Sequence, residues 1–324
     1  MKKILLASTA LVLSAGVAAA DVRVSGDGRM GVTYNSNAAD KWAFTQRVRV
    51  RFDLSGTTDT GLTFGGFVRA HDAPNAAGGG LGGGQNVFIS GAFGRLSMGD
   101  VAGGTQTAVG DLHEVGLTGL GFTNENTFFQ RNFGGGAIAG NPPFGNGGPN
   151  ALYTYSMAGF TFAFSMSQPQ TAAGSAINGK YSLGVRYEMD GLFVGAGYEY
   201  ADINGGPSLN HAAVGAGYAF GDFEVRATYG RANNATGNFI NANLPVGALP
   251  VVKRDQYGLS ASASFDAVTG IIYARRDFFN RRNIGLGARY DLGGGASVVG
   301  GIVRRTGAGA GSQTVADLGV SMSF

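Results

Sequence analysis

The stretch Lys180–Tyr200, KYSLGVRYEMDGLFVGAGYEY, decides how the chain is read. Before Asp190-Gly191, one parity carries Tyr181, Leu183, Val185, Tyr187 and Met189; the other carries Lys180, Ser182, Gly184, Arg186 and Glu188. After it the alternation resumes, with Leu192, Val194, Ala196, Tyr198 and Tyr200 against Gly195, Gly197 and Glu199. Successive side chains on a strand point to opposite faces, so each run is a strand with one apolar and one polar side. A helix needs apolar residues at i, i+3 and i+4, and these runs do not supply them. Asp-Gly between two such runs is a hairpin turn.

The same unit recurs along the chain. Sixteen segments of this kind fall between Val22 and Phe324; those starting near Gln85, Arg95, Thr269 and Ala296 are the weakest by parity. The connectors alternate in length. Ala158-Gly159, Gly221-Asp222 and Gly293-Gly294 are short, whereas His71–Gly84, Ala102–Asn150 and Asn233–Val252 are long. An even number of antiparallel strands, with short turns at one end and long loops at the other, is the pattern of a transmembrane β-barrel. A soluble sandwich also alternates, but it buries its apolar face in an aliphatic core and seldom uses so many strands. Closure into one barrel removes every exposed edge. One parity then faces lipid and the other a water-filled lumen, and rings such as Tyr34, Trp42, Phe220 and Phe223 sit where an interfacial girdle belongs.

Composition agrees. Only 14% of the 324 residues are charged, against roughly 25% in soluble domains. The apolar share, 44%, is too high for a disordered chain, and the 58 glycines follow no three-residue period, which excludes collagen. Beyond Ala20 no run of 18 apolar residues exists, so no helix is expected to span a membrane. Met1–Ala20 has a basic start (Lys2, Lys3), an apolar stretch and Ala18-Ala19-Ala20 before Asp21, the pattern of a cleaved secretory signal. The expected organisation is therefore a leader over 1–20 and a barrel over 21–324. Without Lys2 and Lys3, 22 basic residues face 21 acidic ones, a balance that argues against a nucleic-acid partner. An exported chain without cysteine holds itself together without disulfides, as a large hydrogen-bonded sheet allows.

The sharpest candidate site lies on the second strand. Arg47, Arg49 and Arg51 share one parity while Val48, Val50 and Phe52 take the other. Facing lipid at mid-depth, each arginine would cost about 2–4 kcal/mol, so the three are expected in the lumen. Arg29 and Arg69 have matching parity on the neighbouring strands and complete a basic ladder. Such a cluster repels itself unless acidic groups stand opposite. The long connector Ala102–Asn150 offers Asp111, Glu114 and Glu125 with only Arg131, and a loop of that length is usually functional or disordered.

Other motifs are weak. Gly26-Asp27-Gly28-Arg29-Met30-Gly31 fits G-x-G-x-x-G but lies inside a strand and opens no helix. His71, His113 and His211 are widely spaced. No cofactor is expected; acidic loop residues offer oxygen ligands for calcium, but no loop follows D-x-D-x-D-G. A barrel enzyme would need a serine, a histidine and an orienting acid brought together, and no G-x-S-x-G is present. A plugged adhesive barrel would need a plug domain, which the chain lacks.

The chain resembles the Gram-negative general porins, and in particular the trimeric porins of the alphaproteobacteria. The resemblance rests on the leader followed by Asp21-Val22-Arg23-Val24-Ser25-Gly26, on the long loop after the fifth strand, and on the ending Asp317-Leu318-Gly319-Val320-Ser321-Met322-Ser323-Phe324. It implies a passive outer-membrane channel for small hydrophilic solutes and ions, embedded in lipid and assembled as a homotrimer. It also implies that the final strand and Phe324 are read by the barrel-assembly machinery. In the family the corresponding loop folds into the barrel and narrows it. Where enterobacterial members carry Pro-Glu-Phe-Gly, this chain has His113-Glu114-Val115-Gly116, so Glu114 and Gly116 match while His113 and Val115 depart. Loop acids facing wall arginines would set a transverse field that favours small polar or zwitterionic solutes. A substrate-selective channel is the alternative, since a basic track up the lumen is one mark of that class.

Overall fold

A computed structural model describes residues 21–72, 80–81, 85–130, 150–167, 177–203, 208–233, 254–278, 280–307 and 311–324. Residues 1–20, expected to be a leader, and the second part of the long connector, Arg131 included, lie outside the described residues.

Asp21–Asn35 form β1, Trp42–Thr57 β2 and Thr63–Asp72 β3. From there every strand pairs antiparallel with the next, through Asn86–Gly91, Gly94–Gly99 and Asn150–Met157 to the last strand, Ser312–Ser323. The two residues Gly80–Leu81 also pair with β3, beyond the point where Asn86–Gly91 stops, and occupy the same place in the sheet. Counted as one position, they leave sixteen strands. β1 pairs with β2 on one side and with the last strand on the other, so the sheet closes on itself. The strand expected from Lys180 begins three residues earlier, at Ile177; most other starts fall within one residue of the sequence reading.

Local chemistry explains the hairpins. At Ala158-Gly159 and at Asp190-Gly191 both central residues have positive φ, 49° and 81° in the first and 49° and 82° in the second. That is the type I′ turn, whose twist matches the flanking strands.

Residues directly opposite in the register share a face. Gly28 stands opposite Val48 and Asp27 opposite Arg49, so the parities of β1 and β2 agree. The outer face is a belt of apolar side chains, among them Phe44 at 91% exposure, Val48, Phe162, Leu183 and Leu286. Such a surface would be an aggregation hazard in water and suits hydrocarbon.

The last residue closes the ring. Phe324 exchanges both backbone hydrogen bonds with Gly26, at 3.1 and 2.9 Å. Its side chain, 76% exposed, lies on the outer face over Gly26 and Gly28. Glycines at those two positions leave the shelf on which the ring rests.

Candidate functional site: the lumen and its inner loop

Residues 100–130 run inside the barrel. Gly104–Val109 form one short helix, α1, and the chain makes a tight turn at Gly119–Gly121 before it returns. The inward parity of the wall is shaped to receive this segment. A Cβ at Gly195 would fall on the carbonyl oxygen of Ala108, and one at Gly184 on that of Gly104. Gly197, Gly215, Gly258 and Gly301 likewise lie directly under the loop, so the inward glycines form a track that lets two backbones touch. Where the loop is apolar, so is the wall: Leu112, Val115 and Leu120 pack with Tyr273, Val303 and Val315. Each buried aliphatic side chain of this kind contributes about 1.5–3 kcal/mol.

Polar anchors fix its two arms. The Asp317 carboxylate accepts the backbone N–H of Leu117 at 2.9 Å, and that of Thr118 at 2.7 Å together with the Thr118 hydroxyl at 2.7 Å. On the return arm the Glu199 carboxylate accepts the N–H groups of Phe129 and Gln130, at 2.9 and 3.2 Å, and pairs with His211 Nδ1 at 2.7 Å. Glu199 and His211 are both fully buried. Gln256 makes a two-way bond with the Thr127 backbone, 2.8 Å in each direction. Arg275 donates to Thr127 Oγ1, and Arg305 to the carbonyl of Leu120. His113 sits between Ser260 Oγ at 2.8 Å and Glu224 at 3.2 Å. None of these wall residues was singled out as an anchor from sequence. The available signal was a bulky charged or amide side chain on the inward parity of a strand otherwise lined there by glycine and serine.

The loop lies on the wall from Phe160–Ser167 round to the last strand, and at its far reach touches β1, where Arg29 Nη1 donates to the Leu117 carbonyl at 3.4 Å. Among the described residues neither α1 nor the turn at Gly119–Gly121 packs on β2 or β3. The structure places Arg29, Arg47, Arg49, Arg51 and Arg69 on this stretch of wall, all on the inward face; Arg29 stands directly opposite Arg47, and Arg51 opposite Arg69. Their first countercharges are on the wall itself. Asp27 Oδ1 accepts from Arg47 Nη2 at 2.6 Å, and Asp53 holds Arg51 through Nε at 2.9 Å and Nη2 at 2.6 Å. Arg51 is also laid flat over the Phe67 ring, at 4.0 Å, and Arg95 over Phe88, at 3.6 Å. The loop acids expected from sequence are therefore not the only compensation: Asp53 lies two residues from Arg51 and on its face.

The three loop acids have different surroundings. Glu114 borders the lumen beside Gly119; partial burial, with Asp317 nearby, pushes its carboxyl above the usual range, while Arg29, Arg47 and Arg289 hold it down. Asp111 is turned into the loop, where Oδ1 accepts the Asn126 N–H at 2.5 Å and Oδ2 the Gln106 amide at 3.4 Å. Glu125 is half-buried on the return arm, its N–H bonded to the Phe122 carbonyl. Among the described residues no three His, Asp or Glu side chains gather as metal ligands.

Comparison with known proteins gives this architecture its context. The family model for Gram-negative porins matches residues 7–310. A porin of Rhodobacter capsulatus is 37% identical over 319 residues, covering 94% of this chain and all of that one. A porin structure refined at 1.8 Å superposes with a TM-score of 0.73 at 34% identity, over 94% of this chain and all of the other. A mutant of Rhodopseudomonas blastica porin, 24% identical over the same shares, shows the same fold with a TM-score of 0.67. Fold and family alike are those of a channel and not of an enzyme. The chain belongs to the Gram-negative porins, and its lumen is a passive path for small hydrophilic solutes and ions across the outer membrane.

Proposed function

We propose that the narrowest part of this path runs between the arginine wall, Arg29, Arg47, Arg49, Arg51 and Arg69, and the loop edge that carries Glu114. The observation that carries the reading is the course of the loop. Among the described residues its helix and tight turn pack on the wall from Phe160 round to the last strand, with Arg29 of β1 bonded to the Leu117 carbonyl, and neither packs on β2 or β3. Fixed charges of opposite sign on the two sides of a narrow aqueous gap set a transverse field, which orients polar solutes and disfavours apolar ones. In this reading Asp111 and Glu125 shape the loop and Glu114 supplies its charge at the gap. Asp27 and Asp53 reduce the field locally without cancelling it. No cofactor enters the reading.

Met1–Ala20 acts as the export signal, removed before Asp21, where β1 begins. The outer belt contacts lipid, and the assembly machinery reads the last strand and Phe324. Three copies assemble side by side. The small residues on the outward parity of β1 and the last strand, Gly26, Gly28 and Ala316, support this, with the Phe324 ring lying over the two glycines, because small residues let two walls approach closely. Mild detergent extracts run unheated on a gel test the assembly: a band at three times the heated mass is expected, and a monomer alone would contradict it.

Planar-bilayer recording tests the pore. Stepwise, long-lived conductance is expected, with a reversal potential in a salt gradient that moves when Glu114 is neutralised. A protein that inserts and carries no current would overturn the reading.

A further inference from the structure

The outward face of the barrel is not apolar to its rim. On three consecutive strands, Val268–Arg276, Arg282–Gly293 and Ala296–Thr306, the end nearest the long connectors carries Arg276, Arg282 and Arg304. Their parity is that of the exposed Ile272, Leu286 and Ile302, so all three point away from the lumen. Arg276 stands directly opposite Arg282 in the register, and Arg304 opposite Ile284, two residues below Arg282. Opposed like charges destabilise a strand pair. Arg276 lies over the Tyr257 ring at 4.5 Å, which sets the group at the height of the tyrosine girdle, where membrane meets water. Among the described residues no hydrogen bond or ion pair reaches any of the three guanidinium groups. The outward acids described at this rim are already bonded: Asp202 accepts from Asn178 at 3.2 Å, and Asp255 from Tyr229 at 2.7 Å and Arg231 at 3.4 Å.

The wall beneath is shaped to match. Below Ile284, Leu286 and Ile302 the small outward residues Ala263, Gly270, Ala288 and Gly300 lie in register across four strands, and a Cβ at Gly270 would meet nothing. They form a shallow trough in the apolar belt. We infer that Arg276, Arg282 and Arg304 hold the headgroup of a membrane lipid that carries a phosphate monoester, its acyl chains running over the isoleucines into the trough. A guanidinium fork matches two phosphate oxygens at once, and a phosphate seated between Arg276 and Arg282 relieves their opposition. Long connectors mark the outer side of such a barrel, so the lipid belongs to the outer leaflet. A second copy of the chain is the poorer occupant, because its described outward carboxylates at this height are already bonded. The inference is independent of the constriction and rests on the outward parity of these strands.

Quenching of tryptophan by brominated lipid tests it. Trp42→Phe removes the chain's one tryptophan, Ile302→Trp places a reporter beside the arginines, and Leu183→Trp places one elsewhere on the outer face. The barrel is reconstituted in phosphatidylcholine vesicles with rising fractions of dibrominated phosphatidic acid. At low fractions, quenching at position 302 is expected to exceed that at 183. Arg282→Gln with Arg304→Gln should lower the apparent affinity about tenfold, the weight of two basic groups at an anionic headgroup. Arg304→Lys keeps the charge without the fork and should lower it severalfold. Arg23→Gln, on the lumen face, should leave it unchanged. Quenching that follows the lipid fraction alike at both reporters, or is the same with arginine and glutamine at 282 and 304, would overturn the site. Loss of the excess when glycerol phosphate is added to the buffer would overturn it in favour of free phosphate. A reporter at 302 that no lipid quenches, with the multimer band lost in the double variant, would overturn it in favour of a contact between copies.

Discussion

Arg49 and Val48 are adjacent on β2 and face opposite solvents, so the pair tests the face assignment at the finest scale. Arg49→Ala removes a long side chain from the open wall and should raise single-channel conductance and admit larger solutes in a liposome-swelling assay. Val48→Arg places a guanidinium in hydrocarbon and should destabilise the barrel by about 2–4 kcal/mol in a folding titration into vesicles. A one-residue slip of register would exchange the two outcomes. Glu114 and Asp111, both read from sequence as acids of the constriction, part company in the structure. Glu114→Gln should shift the reversal potential toward anions with stability unchanged, because the group makes its contribution through its field. Asp111→Ala strips the acceptor from the Asn126 N–H and should loosen the loop, seen as a broader spread of open-channel currents.

At the scale of elements, the strands were legible and the loop was not, for a physical reason. Alternation is local: Lys180–Tyr200 announces its two faces without reference to any other part of the chain. The course of residues 100–130 is written elsewhere, in inward glycines such as Gly184 and Gly195 and in acceptors such as Glu199 and Asp317. Read strand by strand, these are merely members of the polar parity; they become a cradle only when the sheet closes and brings them under one segment. The pairing of Arg51 with Asp53 was readable, since i and i+2 share a face, and the same spacing recurs in Arg186 with Glu188 and Arg226 with Glu224. If the cradle sets the constriction, Gly195→Ala should push α1 off the wall and alter conductance. Gly28→Ala, on the outer face with only ordinary contacts at 3.5 Å and beyond, should not. Asp317→Ala leaves the Leu117 N–H without its acceptor, at a cost of about 1–3 kcal/mol, and should add current fluctuations that Glu114→Gln does not.

For the whole molecule, closure and polarity are the same fact seen twice: an edge-free sheet lets the outer face be apolar throughout while the inner face stays wet. Phe324 joins the two ends of that sheet through Gly26, so deleting it should lower the yield of heat-resistant folded barrel while leaving secretion intact. The central claim is that the arginine parity of β2 lines a water-filled path and the valine parity does not. The chain contains no cysteine, so a single introduced thiol reports its own surroundings without interference. The direct measurement is the change in single-channel current when a membrane-impermeant, charged thiol reagent is applied to Arg49→Cys and to Val48→Cys. The account predicts rapid modification and a stepwise change in current for Arg49→Cys, with Val48→Cys unreactive. Reaction at position 48 with silence at position 49 would contradict it.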